Sequence, residues 1–284
     1  MQYLRDFCAS GTVPFFSLAF LNENLIFAHL KTGKIFVMKI LVCISSVPDT
    51  TTKIAFVNEN REFSKQGVQF IINPYDEWYA LVRALELKEA KGSGQVTLFH
   101  VGLAENEAII RKGLAIGADD AVRVDADPGD AYFVAQQIAA YAAGKGYDLI
   151  LVGKETIDYN SSMVGGMVAE LMNLPYVSMA SKLDVAGAEI TAECDIDGGT
   201  AVVTCAAPAV ISCQKGMAEA RIPNMRGIMA ARTKPLETVQ VLDNSTLTKV
   251  ENYRLNEGRQ AVKMIDAGSM DELVRLLHEE AKVI

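Results

Sequence analysis

From residue 38 onward, short apolar runs alternate with amphipathic stretches. Lys39-Ile-Leu-Val-Cys-Ile44 has the length and β-branched content of a strand buried on both faces. Ser45 to Thr50, with Pro48 and Asp49 inside it, breaks that run. Short strand-like pieces follow at 53–57 and 69–72. Asn73-Pro74 then predicts a helix start, with Asn as cap and Pro at the first helical position. Trp78, Leu81, Val82 and Leu85 recur at i, i+3, i+4 and i+7, so one face of this helix is buried. Gly92 and Gly94 end it.

The alternation continues. Residues 95–101 read as a second buried strand, 104–116 as a helix closed by Gly117, and 121–124 as a third strand. A helix over 130–143 stops at Gly144 and Gly146, and 148–152 is a fourth strand running into Gly153. Met163, Val164, Met167, Val168 and Leu171 mark another helical face. After Pro175 the pattern turns to strands at 181–185, 189–194, 200–205 and 209–213, joined at Gly187 and Gly198-Gly199. Strand–helix alternation over 38–175 predicts an α/β fold: a doubly wound, mostly parallel, Rossmann-like sheet with helices on both faces. The later strands are expected to extend it in antiparallel fashion. Residues 231–267 lack periodicity and read as extended. Met270, Leu273, Val274 and Leu277 mark a final amphipathic helix.

Composition narrows the class. The 284 residues are 50% hydrophobic and 22% charged, which suits a folded core that needs no disulfide or metal. The net charge of -8 argues against a nucleic-acid partner. The five cysteines form no CxxC pair, and the three histidines lie far apart, so no metal site is expected. A reducing cytoplasm is the simplest setting. Residues 1–37 hold six of the eleven Phe, including an apolar stretch from Thr12 to Leu21. That stretch is too short to span a membrane, and it lacks the charge bias and small-residue cleavage site of a signal peptide.

In open parallel sheets, ligands sit beyond the carboxyl ends of the strands, near helix N-termini. Here those ends are 43–49, 73–76, 101–102 and 153–165. The last is the richest. Gly153 permits close backbone approach, Lys154 adds charge, and Asp158, Asn160, Ser161 and Ser162 are cap-type residues ahead of a helix. Two readings stand: a phosphate site, or an ordinary loop with a capped helix. No Walker loop, dinucleotide fingerprint or nucleophile elbow occurs. His100 lies at a strand end with no evident carboxylate or cysteine partner, and Cys43 lies in a core strand, so both read as structural. Asp195 and Asp197 read as members of a solvated turn. No catalytic group is nominated.

Several landmarks occur in order: Met38-Lys-Ile-Leu-Val-Cys43, Asn73-Pro-Tyr-Asp-Glu77, Arg111-Lys-Gly-Leu-Ala-Ile-Gly-Ala-Asp119, Asp148-Leu-Ile-Leu-Val-Gly-Lys-Glu-Thr-Ile-Asp158, Asp195-Ile-Asp-Gly-Gly199 and Ile222-Pro-Asn-Met-Arg-Gly-Ile-Met229. On these, the chain from Met38 to Ile284 resembles the β subunit of electron transfer flavoproteins. The resemblance implies a heterodimer whose α subunit carries most of the contacts to a redox FAD, while β binds AMP structurally. It implies electrons passing from acyl-CoA or other flavin dehydrogenases to a membrane quinone oxidoreductase, with the chain itself a carrier subunit that is not membrane-embedded. The positions matching the family's AMP-contacting segments are Cys43, Asn73, Pro74, Tyr75, Asp76, Val101, Gly153, Lys154, Asp158, Asn160, Ser161, Ser162, Met163 and Val164.

The resemblance also gives Tyr75 a place beside the flavin, against the plainer reading of a surface tyrosine at a helix start. It makes 214–222 a partner-recognition loop, with Met217 as apolar anchor beside Ala218 and Glu219. Three domain segments are expected: an extension at 1–37 upstream of the native fold, an α/β domain at 38–230, and an arm with a helix at 231–284 that packs on the α subunit. The loop at 159–163 departs from the usual family pattern, and Val164-Gly165 resembles members that hold a second FAD in place of AMP and bifurcate electrons from NADH. A stand-alone ATP-binding protein of the universal-stress type is the alternative from another class.

Overall fold

The computed structural model describes residues 37–242, 245–258 and 262–284. Apart from Val37, the expected N-terminal extension lies outside the described residues. Two compact units emerge. One comprises described residues 37–50 and 69–248; the other comprises Thr51–Val68 and Lys249–Ile284.

The first unit holds a nine-stranded sheet. Its strands are β1 (Lys39–Cys43), β6 (Gln95–Val101), β7 (Asp120–Val124), β8 (Leu149–Gly153), β9 (Tyr176–Ala186), β10 (Glu189–Ile196), β11 (Gly199–Ala206), β12 (Ala209–Cys213) and β13 (Leu236–Val239). They run in the order β11-β10-β9-β12-β8-β1-β6-β7-β13. A small ladder of β2 (Ser46–Pro48) and β5 (Phe70–Ile72) stands apart. The helices are α1 (Asp76–Lys91), α2 (Glu107–Ile116), α3 (Ala131–Ala142), α4 (Val164–Met172) and α5 (Met225–Ala231).

Burial of β1 on both faces explains its unbroken apolar run. Ile40 and Val42 pack with Leu81 and Leu85 of α1 and Ile110 and Leu114 of α2. Leu41 and Cys43 pack with Phe133 and Ile138 of α3 and Val168 of α4. Successive side chains point to opposite faces, and helices cover both.

Several expectations need correction. The strands after Pro175 are antiparallel only in part. β9, β10 and β11 form an antiparallel meander, but β12 runs parallel to both β8 and β9. The first helix begins at Asp76, and Tyr75 precedes it at φ 67, ψ -79 with no side-chain cap. Asn73 does not cap because its amide is engaged elsewhere, as shown below. Residues 104–116 split into a 3-10 turn (Ala104–Asn106) and α2. Asp158, Asn160, Ser161 and Ser162 do not cap α4; Met163 precedes it without a side-chain cap bond. Asp195 lies within β10 rather than in the turn.

Two elements inside 220–240 had no sequence expectation. The short helix α5 is capped by Asn224, whose Oδ1 accepts from Gly227 N at 2.8 Å. β13 joins the sheet parallel to β7, so the sheet unit runs past residue 230 to Thr248. α2 anchors both. Arg111 donates to the Ala231 and Lys234 carbonyls at 2.9 and 2.7 Å. Lys234 Nζ returns to the Leu114 and Ala118 carbonyls at the end of α2.

The second unit contains a hairpin of β3 (Phe56–Val57) and β4 (Glu62–Phe63), turned through Asn58, Glu59 and Asn60 at positive φ. Phe56 stacks on Tyr253 at 4.8 Å, and Tyr253 N donates to Asn60 O at 2.7 Å. α6 (Met270–Glu279) is the expected final helix, with Arg275 bonded to Glu272 and Glu279.

Candidate functional site

Strand order reverses at β1. The chain passes from β1 to β6 and β7 on one side, then returns through α3 to β8 on the other. The crevice beyond the carboxyl ends of β1 and β8 is therefore the topological switch point.

The α1 wall of this crevice is polar. Asn73 is fully buried; its Nδ2 donates to Glu155 O at 2.8 Å and its Oδ1 accepts from Ile157 N at 3.0 Å. It thus ties the entry to α1 to the loop after β8. Asp76 accepts from Glu155 N at 3.3 Å. Glu77 is buried and accepts twice from Ser45, from its N–H at 2.5 Å and its hydroxyl at 2.7 Å. Gly153 makes this approach possible, because a Cβ there would stand 2.7 Å from Glu77 Cγ.

The other wall is apolar. Cys43, Val101 and Val152 are buried in the core under α3 and α4, and Val164 packs against the same cluster. Gly165 lets Tyr176 lie on the start of α4, since a Cβ would meet its Cε2 and Val152 Cγ2 at 2.9 Å each. The first turn of α4 carries no side-chain cap, which leaves its N–H groups for an anion.

The charges follow from burial and pairing. Burial foremost pushes the Glu77 carboxyl up to about 8, helped by the negative charges of Asp158 and Asp76 and opposed by the Ser45 bonds. Burial also raises Asp76. Burial, then Glu77, pushes the Cys43 thiol up, so it stays protonated and unreactive. Lys154 is paired with Glu155 at 3.0 Å, and that bond raises its ammonium. Ser162 also bonds Glu155, at 3.2 Å, with its own backbone at φ 53. Asp158, Asn160, Ser161 and Met163 lie on the exposed loop between β8 and α4.

The fold thus places Cys43, Asn73, Asp76, Val101, Gly153, Lys154 and Val164 together at the carboxyl end of the sheet. Pro74 precedes Tyr75, which is 51% exposed and whose ring lies 6.3 Å from that of Tyr79. Met217 departs from expectation. It is 4% exposed and packs in the core, while Ala218 is half-buried and Glu219 exposed. The exposed apolar side chains near it are Ile222, Met225 and Met229. Arg221 pins this segment to α1 through Glu89 at 2.7 Å.

Sequence reasoning passed over Ser45, Glu77 and Glu155. Glu77 carried a usable signal: it shares the i, i+4, i+8 stripe of Leu81 and Leu85, so a carboxylate stood on a face bound for the core. His100 is structural. It is 2% exposed, with Nδ1 2.9 Å from Ile44 O and Nε2 3.1 Å from the Asn106 amide. Burial holds its pKa down at about 4, so the ring is neutral and bridges the ends of β6 and β1. A separate cavity of ≈ 360 Å³ opens at the amino ends of β1, β6 and β7, beside Lys39, Gln95 and Asp120. It lies at the opposite end of the strands from the switch point.

No helix among the described residues is long and apolar enough to cross a membrane. A family profile described as "Electron transfer flavoprotein domain" matches residues 62–244. The chain is 36% identical over 262 residues to an electron transfer flavoprotein subunit beta of Bacillus subtilis, covering 87% of this chain and 100% of that protein. Identity to the subunit beta of Bradyrhizobium diazoefficiens is 32% over 253 residues, again 87% of this chain and 100% of the relative. A mitochondrial subunit beta of Arabidopsis thaliana is 31% identical over 255 residues, with the same coverage.

Proposed function

Because the chain belongs to the electron transfer flavoprotein family and aligns with the full length of the Bacillus subtilis β subunit, we propose that it works as the β half of a heterodimer. In this reading it binds AMP as a structural ligand in the switch-point crevice. It helps to hold the FAD of the α subunit, and the pair carries electrons from flavin dehydrogenases to a membrane quinone oxidoreductase. The crevice carries the proposal. Its apolar wall of Cys43, Val101 and Val164 suits an adenine face. Its acidic wall offers acceptors to ribose hydroxyls. Lys154 is already paired with Glu155, so a phosphate would rest on main-chain N–H groups at the start of α4. When bound, the flavin supplies the redox chemistry; this chain's residues bind, orient and exclude water.

Tyr75 supports a flavin-facing role, because an exposed aromatic ring held at φ 67 is an uncommon conformation for a bulky residue. In the 214–222 segment, Glu219 and Ile222 present atoms to a dehydrogenase, whereas Met217 would have to turn out of the core to do so. We place the heterodimer in the cytoplasm, where its cysteines stay reduced. The C-terminal segment beyond the sheet unit is read as the arm toward α.

Acid extraction of the co-produced heterodimer, followed by chromatography of the released nucleotides, tests this reading. FAD and AMP in equal amounts are expected, with β alone colourless. Two FAD per heterodimer would replace the AMP reading with the bifurcating one that Val164-Gly165 resembles. A colourless heterodimer refutes both.

A further inference from the structure

We propose that the ≈ 360 Å³ cavity at the amino ends of β1, β6 and β7 binds a free amino acid, with the ligand's ammonium on Asp120 and its carboxylate toward Lys39 and Lys145. The cavity lies at the opposite end of the strands from the proposed nucleotide site, and the two readings stand or fall separately.

The sequence builds this space on the face of the sheet that α3 covers. Register pairs Lys39 with Gln95, Leu41 with Thr97, and Thr97 with Asp120, so these side chains share one face. Farther along the strands that face is apolar and packs under α3. At the amino ends it is polar. α3 stops at Ala142, and the chain turns through Gly144 and Gly146, both at positive φ, before it enters β8. That turn brings Lys145 and Tyr147 to the cavity, and the segment entering β13 brings Pro235 and Glu237.

Most of the polar groups here are already engaged. Gln95 donates to Asp120 Oδ2 at 2.6 Å. The Tyr147 hydroxyl bonds to Thr97 and Tyr141. Lys39 Nζ donates to the Lys145 carbonyl at 3.0 Å and lies 5.8 Å from the centre of the Tyr147 ring. Lys145 Nζ rests 3.4 Å from the centre of the Tyr141 ring. The exception is Asp120 Oδ1, which is buried and has no donor among the described residues. A buried carboxylate oxygen without a donor is costly, so a fold that keeps one at a cavity holds an acceptor ready for a ligand.

Charge selects the ligand. The cavity is lined by two cations, Lys39 and Lys145, and two carboxylates, Asp120 and Glu237, which sum to no net charge. An amine alone would be repelled by both ammonium groups, and an acid alone by both carboxylates. A zwitterion finds an opposite charge for each of its ends. The Tyr141 and Tyr147 rings, Val122 and Pro235 supply apolar surface for a small side chain. The volume is near the lower end of the about 300–1,000 Å³ of small-molecule pockets, which suits one amino acid better than a nucleotide.

The test is a ligand-observed NMR titration of the full-length chain, co-produced with its α partner, using L-valine as the probe. Saturable binding is expected below about 10 mM. Isobutylamine lacks the carboxylate and isovalerate lacks the ammonium, and each should bind at least about tenfold more weakly. Asp120→Asn should cost L-valine about tenfold while improving isovalerate. Lys145→Met, on the exposed turn, should cost L-valine about threefold while improving isobutylamine. These opposite signs separate lost charge from a damaged fold, which would weaken every probe, and Lys145→Met decides the matter if Asp120→Asn does not fold. Absence of saturable L-valine binding overturns the proposal and leaves Asp120 Oδ1 to water. Either analogue binding as tightly as L-valine, or an L-valine affinity unchanged in Lys145→Met, overturns it as well.

Discussion

Replacing Gly153 with alanine asks how tightly the start of α1 is held against β8. The added methyl would stand 2.7 Å from Glu77 Cγ, 3.3 Å from Asp76 Cβ and 3.4 Å from Glu77 N. Carbon atoms pack best at about 3.5–4.0 Å, so the shortfall at Cγ is about 1 Å. The backbone of Gly153 is not in the left-handed region, so the penalty is one of packing alone. Glu77 cannot rotate away without releasing both bonds from Ser45. The helix backbone cannot retreat without loosening the Asn73 bonds to Glu155 and Ile157. Overpacking of a tight core costs about 1–3 kcal/mol, and a buried polar group stripped of its partner costs a similar amount. We expect Gly153→Ala to lose about 2–3 kcal/mol, read as a lower urea midpoint at unchanged slope and fixed protein concentration. AMP affinity should fall with it. A midpoint within about 0.5 kcal/mol of wild type would show that the corner is loose, and the argument that Glu77 is clamped would fail with it.

Other substitutions probe the rest of the frame. Gly166→Ala should have the opposite sign: its Cβ would make ordinary contact with Tyr176 at 3.7 Å, and alanine in a helix gains about 0.5–1 kcal/mol over glycine in the same urea experiment. His100 is held neutral with a pKa near 4 against about 6.5 when unfolded, so the unfolded chain binds the extra proton. Stability should therefore be lost as pH falls from about 6.5 toward 4, by up to about 3 kcal/mol, and His100→Gln should flatten that slope. Lys234→Met removes the side-chain bonds to the Leu114 and Ala118 carbonyls. It should cost about 1–2 kcal/mol and speed amide exchange at β13 before exchange rises in β1.

What could be read in the sequence was whatever burial writes into periodicity. β1 and β8 are covered on both faces, and their unbroken apolar runs say so. The helical stripe of α1 likewise named its buried face. Periodicity does not record the direction in which a strand pairs, and β12 was misread for that reason: Ala-Val-Ile-Ser-Cys looks the same whether its neighbours run with it or against it. β13 covers four residues with only its ends half-buried, too little to form a pattern. Asn73-Pro74 carries strong helix-cap chemistry, yet tertiary contacts overrode it, because the loop after β8 offers Asn73 a carbonyl and an N–H at once. Met217 shows the same limit. Its residue type suits an exposed docking surface as well as a core, and nothing local to 214–222 separates the two.

The distribution of local rule-breaking locates the site independently of any family argument. Non-glycine residues at positive φ are uncommon and usually belong to turns or helix ends. Asn58, Glu59 and Asn60 turn a hairpin, Asn160 closes the turn that starts at Thr156, Asn173 ends α4, and Lys282 follows the end of α6. Tyr75, Ser162 and Met179 have no such explanation. Tyr75 enters α1, and Ser162 leads into α4. Met179 sits at an irregularity in the β9 ladder, where its N–H reaches Ser212 Oγ at 2.9 Å, and Ser212 is the β12 partner of Val152. All three lie at the carboxyl side of the sheet, where Glu77 is buried and Gly153 is too close for a side chain. Strained backbone persists only where the surroundings over-determine it, and its concentration at one end of a regular sheet marks where a sequence departs from what stability alone would select. The 360 Å³ cavity at the amino ends has no positive-φ non-glycine residue among those that line it. On that contrast, the carboxyl end of the sheet is where we propose that the nucleotide binds.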